Sequence, residues 1–514
     1  MITALFGKGQ KELKILYVLI TLTLAAILLY PLGCVLFQSI LMQDGGLGFS
    51  NYSSLLSQGT FWTALGNSFT VSGISAAIAT VMAFFCAYGL HFTRIRPGVK
   101  KIIQIIVLLP LFLPSITYGF AVIYSFGRLG LVSQLLAPPP FSIYGFWGLL
   151  IADVIYTLPP AFLILYNAFF YVDRNFITVS KLMGAIPNFG EGAVIAMAML
   201  VPSVASVVML RWVDRFNFRY NKISKGEVSV NNVRDGLYLG YYLLISLALL
   251  SVFVVMFVVP FVKQWPYQPF FTLDVITRIV NDSSIWQVYE HSVFVALVSA
   301  AVGTLFCYAA ALVKARSQLP AWCQTTMDSF AMITNTVPGM VLGIGFLFAM
   351  SGTPLANTFT ILVLANLVHF FTTPYMMATS ALSKMNAGWE TTGALMGDSW
   401  IKTVSRVIVP NSLPTLLQMF QYFFVSAMVT ISAVVFLTGA RTMLLTTKIK
   451  ELQYFEKFEE IFVLSLLVFM TNVAAKLIFD ALSNYAQNNN GQGLLTKLKL
   501  FLQSLTAPKA SQSI

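Results

Sequence analysis

The chain has 514 residues, 57% of them hydrophobic and only 10% charged, and a mean hydropathy of +0.79. A soluble globular domain carries about a quarter charged residues because its surface faces water, so this composition excludes one and points to a surface that faces lipid. The formal charge of +12 is no nucleic-acid signature, because Lys and Arg gather in short loops between apolar runs, the bias that anchors cytoplasmic loops.

Apolar stretches of roughly 20 residues, the length that crosses a bilayer, recur along the whole chain. That recurrence excludes a lone cleaved signal peptide. The first stretch, beginning near Leu13 after Lys8, Lys11 and Lys14, reads as a retained helix. Spans are expected near 13–38, 67–91, 102–126, 143–169 and 192–210, then near 236–262, 290–313, 325–350, 356–378, 411–438 and 459–481. The fold class is therefore an all-α polytopic membrane protein with about 11 spans.

Charge sets the orientation. The segment 91–101, the stretch Arg211 to Arg234 and the run Lys314 to Arg316 are basic and expected inside, as is the tail with Lys497, Lys499 and Lys509. The segment 39–66 carries Asp44 and no Lys or Arg, and is expected outside. Cys34, Cys86, Cys307 and Cys323 lie in or beside apolar segments without metal-ligand spacing, so they read as small hydrophobes and no metal site is expected.

The two halves repeat each other. At an offset of 224, Ser68, Ser75, Ala76, Ala77 and Thr80 meet Ser292, Ser299, Ala300, Ala301 and Thr304, and Pro114 and Gly119 meet Pro338 and Gly343. Later the offset is 213, and Ala168, Thr178, Leu182, Met183 and Gly184 meet Ala381, Thr391, Leu395, Met396 and Gly397. One helical unit is thus duplicated: a first unit over 1–210, a polar connector over 211–235, a second unit over 236–484 and a tail over 485–514. Small residues on the shared helices allow close backbone approach. Pro114 and Pro338 sit inside apolar runs and are expected to break their helices, either to serve a pathway or to shape packing.

The first half has one span fewer than the second. The connector and the loop at 170–190 both have to lie inside, which one intervening span cannot satisfy.

Between two spans of the second half lies Trp389-Glu-Thr-Thr-Gly-Ala-Leu-Met-Gly397-Asp-Ser-Trp400, followed by Lys402, Arg406 and Pro410. The segment is too polar for lipid. Its first part has helical spacing, Gly397 permits a turn, Asp398 or Ser399 can cap a second helix, and Pro410 marks entry into the next span. Lys402 and Arg406 lie four apart, placed for an acidic rim or lipid phosphates. The residues alone fit either a rigid block gripped by a partner or an ordinary basic interfacial loop.

This loop resembles that of permeases in binding-protein-dependent ABC importers, where Glu-Ala-Ala, three residues, Gly, twelve residues and Pro follow in order. Gly397 and Pro410 fall at that spacing, while Thr391, Thr392 and Gly393 occupy the Glu-Ala-Ala positions with Glu390 one residue early. The resemblance covers nearly the whole chain and is closest to the fused two-unit permeases for ferric iron, thiamine and 2-aminoethylphosphonate. It implies a duplicated type I permease fold in the bacterial inner membrane, multi-pass. It further implies a loop that docks on an ABC ATPase dimer inside, and a solute-binding protein outside. The first unit departs from the pattern: Thr178, Leu182, Met183 and Gly184 match its start, but after Pro187 the run to a Pro is missing, consistent with an internal deletion near 187–190.

The sequence contains no Gly-x-x-x-x-Gly-Lys-Ser/Thr loop, so ATP and Mg are expected on a partner ATPase and this chain is not expected to be an enzyme or to hold a cofactor. Asp153 and His369, in the fourth spans of the two halves near Pro159 and Pro374, either face a pathway or sit hydrated near the outer interface. Tyr118, Tyr124, Tyr156 and Tyr166 line the first half or serve its packing. ATP-driven import leads, with ferric iron ahead of phosphonate and thiamine on family grounds. Its rivals are an ion-coupled secondary transporter, which few intramembrane charges disfavour, and a transport-inactive scaffold.

Overall fold

A computed structural model describes residues 11–42, 45–135, 141–170, 231–265, 267–317 and 319–488. The expected span at 192–210, most of the connector, the first-unit loop with Thr178, Leu182, Met183 and Gly184, the deletion point and the tail beyond Asn488 lie outside the described residues.

The first copy opens with α1 (Lys11–Leu24), which passes through a wide turn at Ala25–Leu29 into α2 (Tyr30–Ile40). There follow α3 (Ser50–Leu56), α4 (Gly59–Phe92), α5 (Pro97–Leu108), α6 (Ser115–Phe126), the short α7 (Leu131–Leu135) and α8 (Phe146–Phe170). The second copy runs α9 (Asn232–Val258), the strands β1 (Val262–Gln264) and β2 (Gln268–Phe271), then α10 (Asp274–Asn281) and α11 (Ser283–Arg316). After these come α12 (Ala321–Thr336), α13 (Gly339–Met350), α14 (Phe359–His369) and α15 (Thr372–Ser383). The last helices are α16 (Gly388–Leu395), α17 (Trp400–Thr403), α18 (Val409–Val429), α19 (Leu445–Tyr454) and α20 (Phe458–Asn488).

The two sequence offsets recur in the helix ends. Adding 224 to the ends of α4 gives both ends of α11, and the same shift carries α6 onto α13. Adding 213 carries α8 onto the span of α14 and α15. The duplication is thus one of structure.

Eight helices among the described residues are long and apolar enough to cross a membrane, and there are ten spans if each of two bent pairs counts as one. Each of the ten overlaps an expected span. The antiparallel β1–β2 ribbon, pairing Val262 with Phe271, is a small departure from an all-α reading. Its counterpart in the first copy is the single bridge between Leu41 and Leu47.

Prolines shape the spans. At the end of α5 the chain turns tighter over Leu109–Phe112, then Leu113 and Pro114 are extended before α6 begins. Proline has no N–H to give and disfavours helix in the residue before it. The carbonyls this frees cannot find water in lipid, and the Tyr118 hydroxyl, one turn into α6, donates to the carbonyls of Pro110 and Leu113. At the matching place in the second copy Val337 is extended, and α12 meets α13 across Pro338 at 104°. The copies differ one span later: α8 stays helical through Pro159 and Pro160, whereas α14 and α15 meet at 56° ahead of Pro374.

Two compact units result, and they interleave the copies. One contains Met1–Asn51, Val280–Glu451 and Leu467–Ile514. In it α2 lies along α13, while α1 lies against α11 and α12, with Tyr17 edge-on to Trp322 at 5.8 Å. The other contains Tyr52–Ile279 and Leu452–Leu466. There α9 lies along α5 and α6, the Ser125 hydroxyl donating to the Val252 carbonyl at 3.1 Å and the Tyr242 hydroxyl to that of Cys86 at 2.9 Å. The opening helix of each copy therefore packs on helices of the other copy. Within the first of these units, α11 is the central element, burying Ser299, Ala300, Gly303, Cys307 and Ala311 against α14, α15 and α18. Side chains this small let backbones approach where lipid gives no hydrophobic drive to association.

Candidate functional site

The polar segment of the second copy folds as a helical hairpin. Asn386 Oδ1 accepts from the Gly388 amide at 2.8 Å and starts α16. That helix ends when Gly397 turns to φ +80°, the left-handed region open to glycine. The Asp398 amide bonds back to the Gly393 carbonyl at 2.9 Å and the Gly397 amide to that of Ala394 at 3.1 Å. This pair of bonds closes the helix end and satisfies its free carbonyls. Ser399 caps the next helix, its hydroxyl accepting from the Lys402 amide. The two arms cross closely at Gly393, where a Cβ would run into the Thr403 hydroxyl.

Pro410 does not interrupt the second arm. Helix runs from Trp400 to Val429, passing through a wide turn at Val404–Ile408 just ahead of the proline. A proline ring clashes with the carbonyl four residues back, here that of Arg406, and a turn of larger radius relieves the clash without ending the helix. The hairpin is thus continuous with the span α18. Lys402 is paired with Asp398 rather than free for lipid or an acidic rim, whereas Arg406 is exposed.

Glu390 faces inward. Its carboxylate takes two bonds from Arg316 at the end of α11, Nε to Oε1 at 2.6 Å and Nη2 to Oε2 at 2.5 Å. Arg316 also donates to the carbonyls of Met385 at 3.0 Å and Asn386 at 2.8 Å, and its side chain is only 3% exposed. The hairpin's outer side carries Thr391 and Thr392, both exposed, with Leu395 at 85% and Met396 at 79% exposure. This helix has no buried residue and ends in two large, exposed apolar side chains.

At membrane depth, the repeat register pairs Asp153 with Asn366 rather than with His369. The Ser75 hydroxyl of α4 donates to the Asp153 carboxylate of α8. In the second copy the Asn366 amide of α14 meets the Ser299 hydroxyl of α11 at 3.5 Å, so the same two positions touch. His369 lies instead where α14 gives way to α15, its ring close to Gly339 just after the Pro338 break, and its buried Nδ1 has no hydrogen-bond partner. The two broken spans of this unit therefore meet around His369, Gly339 and Ser432.

Arg316 and Asn366 escaped the sequence reading as site residues. Arg316 was visible only as one of a basic run whose Lys314 also proves to be engaged, with Asp328 at 2.6 Å. The offset of 213 applied to Asp153 would have found Asn366.

Residues 303–485 match the model of the family described as binding-protein-dependent transport system inner membrane component. The chain is 23% identical over 471 residues to the ferric transport system permease protein FbpB of Actinobacillus pleuropneumoniae, covering 77% of this chain and 67% of that one. It is 22% identical over 511 residues to the putative ferric transport system permease protein FbpB 1 of Haemophilus influenzae, covering 85% and 79%. A shorter match, 25% identical over 193 residues, covers 36% of this chain and 66% of a putative 2-aminoethylphosphonate transport system permease protein, PhnU, of Salmonella typhi.

Proposed function

We propose that this chain, which belongs to the inner-membrane permeases of binding-protein-dependent ABC importers, forms the pathway of an ATP-driven importer of ferric iron. It is a transport subunit rather than an enzyme. ATP is bound with Mg and hydrolysed by a separate ATPase dimer on the inner side, and an external binding protein delivers the solute.

The observation that carries the reading is the hairpin at Gly388–Thr403, which is built as one block with the span α18. Its exposed Leu395 and Met396 give an apolar tip for a cleft in the ATPase. When the ATPase closes, the block moves as a whole, because Ser399, the Gly397 closure and the Gly393 crossing leave it few internal freedoms. The span α18 packs along α11. Displacement of the hairpin is thereby passed to the helices whose breaks meet at His369, which we take with Asp153, Pro114 and Pro338 as the pathway candidates. Iron is favoured as solute by two ferric-transport relatives that match over most of the chain.

The test is uptake of radioactive ferric iron into proteoliposomes holding the permease and its ATPase, with the binding protein outside and ATP inside. Iron accumulation that vanadate abolishes supports the reading. Uptake of 2-aminoethylphosphonate instead of iron would replace the solute and keep the mechanism. Uptake driven by a proton or sodium gradient with no ATPase present would replace the mechanism, and no uptake of any of these would leave a scaffold.

A further inference from the structure

The Arg316–Glu390 ion pair ties the end of α11 to the first turn of α16. Arg316 is the last residue of α11, and its guanidinium gathers three things at once: the Glu390 carboxylate in the first turn of α16, the Met385 and Asn386 carbonyls in the link between α15 and α16, and at 3.4 Å the Leu382 carbonyl at the end of α15. Leu382 lies in the last turn of α15, where carbonyls lack intrahelical partners, and Met385 and Asn386 lie in the link just past it. A guanidinium has five N–H donors in a fixed planar fork, so one side chain can satisfy a carboxylate in two bonds and still hold neighbouring carbonyls.

The sequence of the first copy does not carry this pair. The offsets place Phe92 at the Arg316 position and Ile177 at the Glu390 position, an apolar pair. The two copies therefore differ in sequence at these two positions.

We infer that Glu390 is not a contact for the ATPase but the anchor through which Arg316 fastens the hairpin to α11, so that α11 and α18 receive the ATPase stroke together. This rests on the proposed function above. With the joint cut, the hairpin still reaches the ATPase through Leu395 and Met396, and hydrolysis continues. The movement then reaches α11 only through its packing along α18, and transport per ATP falls.

The experiment uses the full chain co-expressed with its ATPase, as wild type, R316M, E390Q and the double R316M/E390Q. Three quantities are read: ATPase retained on the tagged permease, ATP hydrolysed by the complex, and radioactive ferric iron taken up per ATP in proteoliposomes. Expected are normal ATPase retention, hydrolysis within about twofold of wild type, and iron uptake per ATP lowered roughly tenfold or more in R316M. The double variant should be no worse than R316M, since removing one partner already cuts the joint. Loss of ATPase retention in E390Q but not in R316M would overturn the inference, because Glu390 would then face the partner. So would unchanged uptake per ATP in both single variants, or additive losses in the double. Should R316M fail to fold, E390Q alone carries the retention and stoichiometry comparisons. Failure of the underlying reading shows separately, as wild type that retains no ATPase or takes up nothing with ATP.

Discussion

Asp153 and Asn366 hold the same place in the two copies, each bonded to a serine of the long helix beside it, Ser75 in one case and Ser299 in the other. One position is an acid and the other its neutral amide, so what the copies share is a hydrogen bond between helices rather than a charge. D153N, which gives the first copy the residue of the second, should leave expression intact and iron uptake within about twofold of wild type. S75A removes the donor and should destabilise the first copy by about 1 kcal/mol, the size of one hydrogen bond between membrane helices. Thermal melting in detergent and proteoliposome uptake check both. Lost uptake in a stably folded D153N would instead show that transport needs the charge of the carboxylate and not only its hydrogen bond.

The tip of the hairpin separates docking from folding. Leu395 and Met396 are almost fully exposed, so L395S/M396S should shift the stability of the chain by no more than about 0.5 kcal/mol. If the two side chains fill a cleft in the ATPase, each change removes roughly 2 kcal/mol of burial, near a 30-fold loss of affinity. Pull-down of the ATPase by tagged permease, beside a melting curve, reads both quantities.

Gly393 and Gly397 are required for different reasons. G393A puts a methyl against Thr403 and should force the arms apart at a cost of about 1–3 kcal/mol. At Gly397 there is open space but φ is +80°, so G397A costs roughly 1–2 kcal/mol through backbone strain alone. Limited proteolysis of the hairpin should therefore speed up in both variants. Only G393A should be rescued by T403G, which removes the obstructing side chain.

The start of α11 should respond to acid. Asp282 caps it, accepting from the Ser284 amide at 2.9 Å and hydroxyl at 2.7 Å, and these bonds hold its carboxyl below the usual value of 3.8. A depressed carboxyl contributes stability above the unfolded value and loses it as pH falls through the folded one. Melting of wild type and D282A should thus differ at pH 7, with the cap contributing about 1 kcal/mol. The difference should close as the pH falls through the folded-state value, which lies below 3.8.

Much of this was legible in the sequence, because a bilayer imposes length and apolarity on every span and charge on the loops. The offsets of 224 and 213, read from a handful of Ser, Ala, Pro and Gly positions, reproduce the ends of α4 and α11 and of α8 and α14–α15. Pro114 and Pro338 break their spans as expected, whereas Pro159 and Pro160 sit inside an unbroken α8. Pro410 does not break its helix, because the turn before it widens, and nothing in the residue pattern distinguishes that outcome. The packing of α2 on α13 and of α9 on α6 was equally hidden: a uniformly apolar helix carries no label for its neighbour. Arg316 and Glu390 lie 74 residues apart, and each alone reads as an ordinary inner-face charge.

In the proposed function, the hairpin at 388–403 carries the work of a nucleotide-driven partner into this chain. Proteoliposomes containing permease and ATPase, with ferric iron and binding protein outside, should accumulate iron when ATP is inside, and L395S/M396S should abolish that accumulation while leaving the permease folded. Accumulation at the wild-type rate by the L395S/M396S permease, or by wild-type permease with no ATPase present, would contradict it.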